Sequence, residues 1–369
     1  MRIMAFLKNL FGATEKGKSV LGVDVGSSSI KVVQIRKEGG VAKLETYGEL
    51  ALGPYADAEI GQATKLSPET VAQGLTDLIR EAKVTATDCG VSIPFSRSLV
   101  TLIELPRRDD PTEQRTVIEL EARKYIPVPI TEVQLDWFVV PDPLASAEEE
   151  KKKKTVKVLL VAVHNDELTF LQKVIELAKL SATFYEIEIF STIRAVIEEP
   201  VKPVMILDIG ASSTKLYIVE RGVIAVSHTI PEGGQQVTRT IASTAHIPLA
   251  KAESLKKQFG FAPEEGEGIY AKQAIELVFT RIFEDARRVV TQFESATHRV
   301  VSSIALTGGG GVTPALGVYA KSRFLLDVQV ADPFGKTDAP AFMRPVLQEI
   351  GPEFSVAVGL ALRKLEEQR

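Results

Sequence analysis

"LGVDVGSSSIKVVQI", Leu21–Ile35, is an apolar run, a tight Gly/Ser turn and a second apolar run. It returns at Met205–Val219 as "MILDIGASSTKLYIV". Asp24, Gly26, Ser28, Ser29 and Lys31 match Asp208, Gly210, Ser212, Ser213 and Lys215. The β-branched and aliphatic flanks predict a strand on each side of the turn. A repeat found once per half predicts a duplicated α/β domain rather than a solenoid. Consecutive backbone N–H groups and small hydroxyls, at Gly26, Ser27, Ser28 and Ser29 and again at Gly210, Ser212 and Ser213, form nests for phosphate oxygens. Asp24 and Asp208 do not favour phosphate themselves. They suit a hydrated Mg²⁺, which takes one or two carboxylates plus phosphate oxygens. Two such hairpins facing each other across a cleft would clamp a β- and a γ-phosphate from both sides.

A more familiar pattern lies just upstream. "GATEKGKS", Gly12–Ser19, satisfies G-x-x-x-x-G-K-[ST] to the letter. A working phosphate loop needs a strand before it and a helix after it. Here the order is inverted. Ile3, Phe6, Leu7, Leu10 and Phe11 fall on one helix face upstream, and "VLGVDVG" downstream reads as a strand. Lys18 is therefore expected at a strand entrance, and Gly12–Ser19 reads as a polar linker. The N-terminal stripe suits a helix docked on its own domain, or contact with a membrane surface or a partner helix. It is too short, and lacks the cleavage pattern, for a secretory signal.

A third element is "IALTGGGGVTP", Ile304–Pro314, a short strand running into four glycines. Gly308, Gly309 and Gly310 would let backbone approach a flat ligand such as adenine without Cβ hindrance. Upstream, "AESLKKQFG" puts Glu253 and Lys256 three residues apart on one helix face. That pair reads either as a solvated ion pair or, beside a nucleotide, as a hold on ribose hydroxyls and the adenine edge.

The totals limit the alternatives. With 369 residues, one large or two medium domains are expected, and a net charge of −4 argues against a broad nucleic-acid surface. Cys89 is the single cysteine, so no internal disulfide is possible and a reducing cytosol is the simplest setting. His164, His228, His246 and His298 are scattered, with no metal-ligand spacing. No apolar run approaches the ~18–20 residues needed to span a bilayer.

Taken in order, these residues resemble the actin-like ATPase superfamily. Asp24–Lys31 is similar to its first phosphate hairpin and Asp208–Lys215 to its second. Glu253 and Lys256 resemble its E-x-x-K pair, Gly308–Gly310 its adenosine loop, and "FSVAVGLALR", Phe354–Arg363, its second connecting helix. Glu188 in "EIFSTIRA" aligns with the acidic residue that opens the first connecting helix in chaperones, where it carries the catalytic role. The Pro that usually follows is Ile189 here, which puts a water-orienting role in question. Within the superfamily the chain resembles the PilM family of type IV pilus assembly proteins. "FLKNLFG…LGVDVGSSSIKVVQI", "ELEARKYIPVPITEVQLDWFVV" at Glu119–Val140, and "VADPFGK" followed by "VAVGLALR" carry that likeness. The charged insert "ASAEEEKKKK", Ala145–Lys154, departs from it and reads as a solvated hairpin tip.

The resemblance implies an actin-like (ribonuclease H-like) pair of halves with a small α+β insert. Residues 1–19 would be the N-terminal segment and linker. Residues 20–90 plus 166–203 form the first half, 91–165 the insert, 204–353 the second half and 354–369 the connecting helix. Within these, a helix is expected around Ser67–Val84 with Ser67 as its cap, and another over Thr112–Tyr125. A third is expected over Asn165–Leu180 with Asn165 as its cap. The resemblance further implies ATP and Mg²⁺ as cofactors, with slow hydrolysis or none. The implied partner is the cytoplasmic N-terminal tail of PilN, docked between the first half and the insert. Other inner-membrane assembly proteins, motor components and further copies of the chain are also implied partners, at the inner face of the inner membrane. Two other readings share the clamp: a sugar-kinase-type phosphotransferase, which would need a general base beside an acceptor hydroxyl, and a filament former of the FtsA or MreB type.

Overall fold

The computed structural model describes residues 18–140, 153–198, 201–262, 266 and 268–367. The N-terminal stripe, nearly all of the "GATEKGKS" stretch and most of the charged insert lie outside the described residues. Lys18 does stand at a strand entrance, where its Nζ pairs with Asp88 at 2.6 Å.

The first repeat folds as a hairpin of β1 (Ser19–Val25) and β2 (Ser29–Glu38), and β3 (Val41–Ala51) continues it. β4 (Asp88–Ile93) then pairs parallel with β1. From β4 the chain leaves for a separate sheet of β5 (Ser98–Pro106), β6 (Val133–Val140) and β7 (Thr155–His164), ordered β5-β7-β6. It returns as β8 (Ser181–Ile187), completing a first sheet β3-β2-β1-β4-β8. The second repeat builds the same plan. β9 (Val204–Ile209), β10 (Thr214–Glu220), β11 (Val223–Ile230), β12 (Ser303–Thr307) and β13 (Asp327–Val330) order as β11-β10-β9-β12-β13. Strand for strand the two orders are equivalent, as a duplicated α/β fold requires. β9 is buried along its whole length, which is why it reads as an apolar run broken only by Asp208.

Helices cover the sheets. Pro68–Glu81 is capped by Ser67, whose Oγ accepts the Thr70 N–H, and it buries Val71, Ala72, Leu75 and Leu78. The helix of the small sheet runs Pro111–Ala122 rather than Thr112–Tyr125. Asp110 caps it by accepting the Thr112 and Glu113 N–H groups, and Pro111 suits its first position. Its Ile118 and Ala122 pack on Ile103, Val158 and Leu160. The third helix, Asn165–Leu177, corrects the expected cap. His164 holds the cap position without a side-chain bond, and Asn165 Nδ2 instead donates to Thr131 O at 2.9 Å. Asn165 thus ties the returning chain to the small subdomain.

Two connecting helices, Glu188–Val196 and Ser355–Glu367, cross where the halves join. Glycines allow the approach: a Cβ on Gly359 would sit 2.0 Å from Ser191 O, and one on Gly22 2.0 Å from Ala357 O. Beside the crossing, buried Glu186 accepts from Ser191 Oγ, from Arg194 at 2.8 and 3.0 Å, and from Arg363 at 2.8 Å. A buried carboxylate with that many donors is fully satisfied, so the crossing is held rigidly.

Candidate functional site

The two repeat turns are built alike. Gly26 N–H donates to Ser29 O and Gly210 N–H to Ser213 O, each at 3.0 Å. Asp24 lies opposite Lys31, and Asp208 opposite Lys215. The turns face each other, with Ser27 Oγ and Ser212 Oγ 3.5 Å apart. Between the halves opens a cleft of about 550 Å³, within the range of small-molecule sites.

Every residue that the sequence marks for a nucleotide or metal site lines that cleft. The first hairpin contributes Asp24, Gly26, Ser27, Ser28, Ser29 and Lys31, and the second Asp208, Gly210, Ser212, Ser213 and Lys215. Glu188, Glu253, Lys256, Gly308, Gly309 and Gly310 complete the set. The three glycines differ in what they permit. Gly308 has φ +78, and a Cβ there would meet Asp208 Oδ1 at 2.4 Å. A Cβ on Gly310 would meet Ile209 at 2.2 Å, whereas one on Gly309 meets nothing within 4 Å. Gly308 and Gly310 are needed by the fold, and Gly309 leaves a bare backbone face.

Charge is balanced in an unusual way at the centre. Burial pushes the Asp24 carboxyl up to about 6, although Lys31 lies beside it and Ser92 Oγ donates to it at 2.8 Å. Burial raises Asp208 as well. Lys31 Nζ pairs with Glu49 Oε1 at 2.9 Å and donates to Ser29 Oγ at 2.7 Å. Lys215 Nζ pairs with Glu188 Oε2 at 3.1 Å. Burial alone would lower both lysines, but the adjacent carboxylates outweigh it and hold them above the ordinary value. One hard carboxylate on each hairpin, each resisting ionisation through burial, fits a hydrated divalent cation that also takes phosphate oxygens. Among the described residues no group of three or more His, Cys, Asp or Glu is placed to hold a metal by itself.

Glu188 is engaged on both oxygens. Oε1 accepts the Phe95 N–H at 2.6 Å while Oε2 holds Lys215. Glu253 is also occupied, its Oε2 accepting from Lys256 Nζ and Thr238 Oγ1, both at 2.6 Å. Burial pulls Lys256 below its usual value. Among the residues passed over in the sequence are Glu49 and Glu353, which line the cleft, and Ser92, which donates to Asp24. Burial, then Glu49, pushes Glu353 up to about 7. A loop of the first half also reaches across: Ala63 N–H donates to Gln235 Oε1 at 3.2 Å, and Arg239 Nε donates to Gln62 Oε1 at 3.3 Å. A strand-turn-strand reading of residues 29–51 brings Glu49 only within one residue of the position opposite Lys31.

Comparison with known proteins agrees with this architecture. The chain is similar to the solved PilM–PilN type IV pilus biogenesis complex, with 25% identity, 94% of this chain and 98% of that chain covered, and a TM-score of 0.79. It is 23% identical over 379 residues to the cell division protein FtsA of Neisseria meningitidis serogroup B, covering 93% of this chain and 90% of that protein. It shares its fold with the ethanolamine utilization protein EutJ from Carboxydothermus hydrogenoformans, at 14% identity over 95% of this chain and 91% of that one, TM-score 0.54. The family model for type IV pilus assembly protein PilM matches residues 22–365, and the chain belongs to that family.

Proposed function

We propose that this chain is an ATP-binding, actin-like scaffold of the type IV pilus assembly machine. In this reading Mg²⁺·ATP lies between the hairpins and the small three-stranded subdomain docks the cytoplasmic tail of PilN. The observation that carries it is the pair of matched hairpins meeting over Asp24 and Asp208, in a chain of the PilM family. The nests of Ser27–Ser29 and Ala211–Ser213 would hold the phosphates, Asp24 and Asp208 the hydrated cation, and Gly309 the adenosine. Bound Mg²⁺ would neutralise phosphate charge. For the tail, β6, an edge strand among the described residues, offers backbone and exposed Phe138 and Val139 suited to strand addition. Among the described residues no helix is long and apolar enough to cross a membrane. Peripheral attachment at the inner face of the inner membrane, through PilN, follows from this reading.

Hydrolysis is expected to be slow or absent, because Ile189 stands where a Pro usually follows the acidic residue, and in this structure the Glu188 carboxylate is directed to Phe95 and Lys215 rather than to a water site. The phosphotransferase reading needs a base in the small subdomain; Asp136, beside Trp137 on β6, is exposed there, and its Oδ1 accepts the Trp137 N–H at 2.9 Å. Calorimetry tests the clamp. Gly210→Asp sets a carboxylate in the phosphate nest, where an added Cβ would lie 3.0 Å from Ser213 O. ATP affinity should fall by more than about 100-fold; unchanged affinity would sink the clamp. A pulldown with the PilN tail peptide, with and without ATP, tests docking, and a null result in both states would sink that part.

A further inference from the structure

Glu188 serves two parts of the molecule at once. Its side chain is buried at the first residue of a connecting helix. One oxygen holds Lys215 of the second hairpin and the other holds the Phe95 N–H. Phe95 opens the short helix Phe95–Arg97, which joins β4 of the first sheet to β5 of the small subdomain. That helix is the outgoing joint of the subdomain. Two further contacts fix it. The Phe95 ring meets Tyr217 edge-on at 5.8 Å, and Tyr217 lies two residues beyond Lys215 on the same face of β10. The Tyr217 hydroxyl is buried without a hydrogen-bond partner, so packing alone holds the pair. Arg97 pairs with Asp166 and Glu167 at the start of the returning helix.

We propose that Glu188 couples occupancy of the phosphate cleft to this joint, so that bound nucleotide loosens the attachment of the small subdomain at Phe95. The proposal rests on the nucleotide reading above and adds the route by which the partner-docking subdomain senses it. A phosphate at the second hairpin draws Lys215 Nζ away from Glu188. Glu188 is then a buried carboxylate without its cation, facing phosphate oxygens whose charge Mg²⁺ offsets only in part, and like charges repel in so dry a setting. The carboxylate turns from the cleft, and the Phe95 N–H loses its acceptor. Lys215 and Tyr217 share one strand face, so movement of the lysine also disturbs the Phe95–Tyr217 contact. Glu188 acts here as a positioning residue, transmitting a change at Lys215 to the Phe95 backbone.

Hydrogen exchange of the full chain, with and without saturating Mg²⁺·AMPPNP, tests this. Exchange in residues 95–100 should rise about ten-fold with nucleotide, as expected for one charge-assisted hydrogen bond. Glu188→Gln, measured at a nucleotide concentration that calorimetry shows to saturate it, should erase the difference. Phe95→Pro deletes the donor, and Pro94 at φ −61, ψ 134 accepts a following proline. That variant should show the loosened joint without nucleotide. Unchanged exchange in the wild type at saturation, or an undiminished response in Glu188→Gln, would overturn the coupling alone. If calorimetry finds no nucleotide binding, the underlying reading fails first and the coupling with it.

Discussion

Lys31 and Lys215 occupy the same register position in equivalent hairpins, opposite Asp24 and Asp208, yet their partners come from different places. Lys31 takes Glu49, its direct neighbour on β3 of the same sheet. In the second hairpin that neighbouring position is Thr229. Lys215 takes Glu188 instead, from a connecting helix that follows the first sheet. Duplication kept the residues that line the cleft and let their support diverge. The first jaw is closed within its own sheet. The second is wired across the halves, through Glu188, to Phe95. Under the proposed coupling, the same signature binds alike on both sides while only the second side reports what it binds.

The largest expected contrast is in stability. Lys215→Ala leaves Glu188, only 11% exposed at its side chain, as a buried carboxylate without its cation. The cost should be about 3–5 kcal/mol. Lys31→Ala leaves Glu49, 37% exposed, within reach of water, and should cost about 1 kcal/mol or less. Urea denaturation of both variants decides this, and equal losses would break the comparison.

Next come the glycines behind the second jaw. Gly308→Ala forces a Cβ against Asp208 Oδ1 and Ile209 O at a positive φ. Loss of about 2 kcal/mol or more is expected. Gly309→Ala meets open space, so the melting temperature should hold. ATP affinity should still fall about ten-fold, because the new methyl stands where adenosine would approach. Unchanged affinity in Gly309→Ala would remove adenosine from that loop.

The first jaw should show itself through pH. Asp24 is pushed up to about 6 when folded, against 3.8 otherwise. A raised acid binds its proton more tightly in the folded state, so this group favours folding less as pH rises from about 4 to about 6. Cation binding runs the other way, because it needs the carboxylate. Mg²⁺·ATP affinity should therefore drop about ten-fold between pH 7 and pH 5, one unit below that pKa. Calorimetry at the two values, with Asp24→Asn as a control that should be nearly flat, checks the assignment.

Much of this site could be read from the chain because its determinants are local. A hairpin turn, a glycine run and an i, i+3 pair each sit within a dozen residues, and all the residues chosen that way came together in one cleft. The supports could not be read, because they depend on tertiary register. Pairing outward from the Gly39–Gly40 turn, as Glu38 with Val41, would set Lys31 against Gly48. A register shift between Gln34 and Ile35 moves it to Glu49. One extra residue thus decides whether Lys31 meets Gly48 or the Glu49 carboxylate. Glu353 and the Phe95–Glu188 bond span longer separations still, and no local pattern marks them. Asn165 shows the reverse error: a residue type favoured at caps was drawn by Thr131 into a long-range bond instead.

The smallest effect would come from making the jaws alike. Thr229 is half-buried on β11, directly opposite Lys215. Thr229→Glu would give Lys215 the cross-strand partner that Lys31 already has. Alone, it should change stability by less than about 0.5 kcal/mol, since Glu188 already holds the lysine and a second carboxylate adds both attraction and repulsion. In a Glu188→Gln background the lysine lacks its anion, and the same substitution should return about 0.5–1 kcal/mol. It should not restore the nucleotide response in residues 95–100, because a carboxylate on β11 has no bond to the Phe95 N–H. Stability recovered without the response would separate the two roles of Glu188, pairing a buried lysine and reporting on it. If the double variant were no more stable than Glu188→Gln alone, Thr229 would not be the counterpart of Glu49, and the correspondence between the jaws would end at the hairpins themselves.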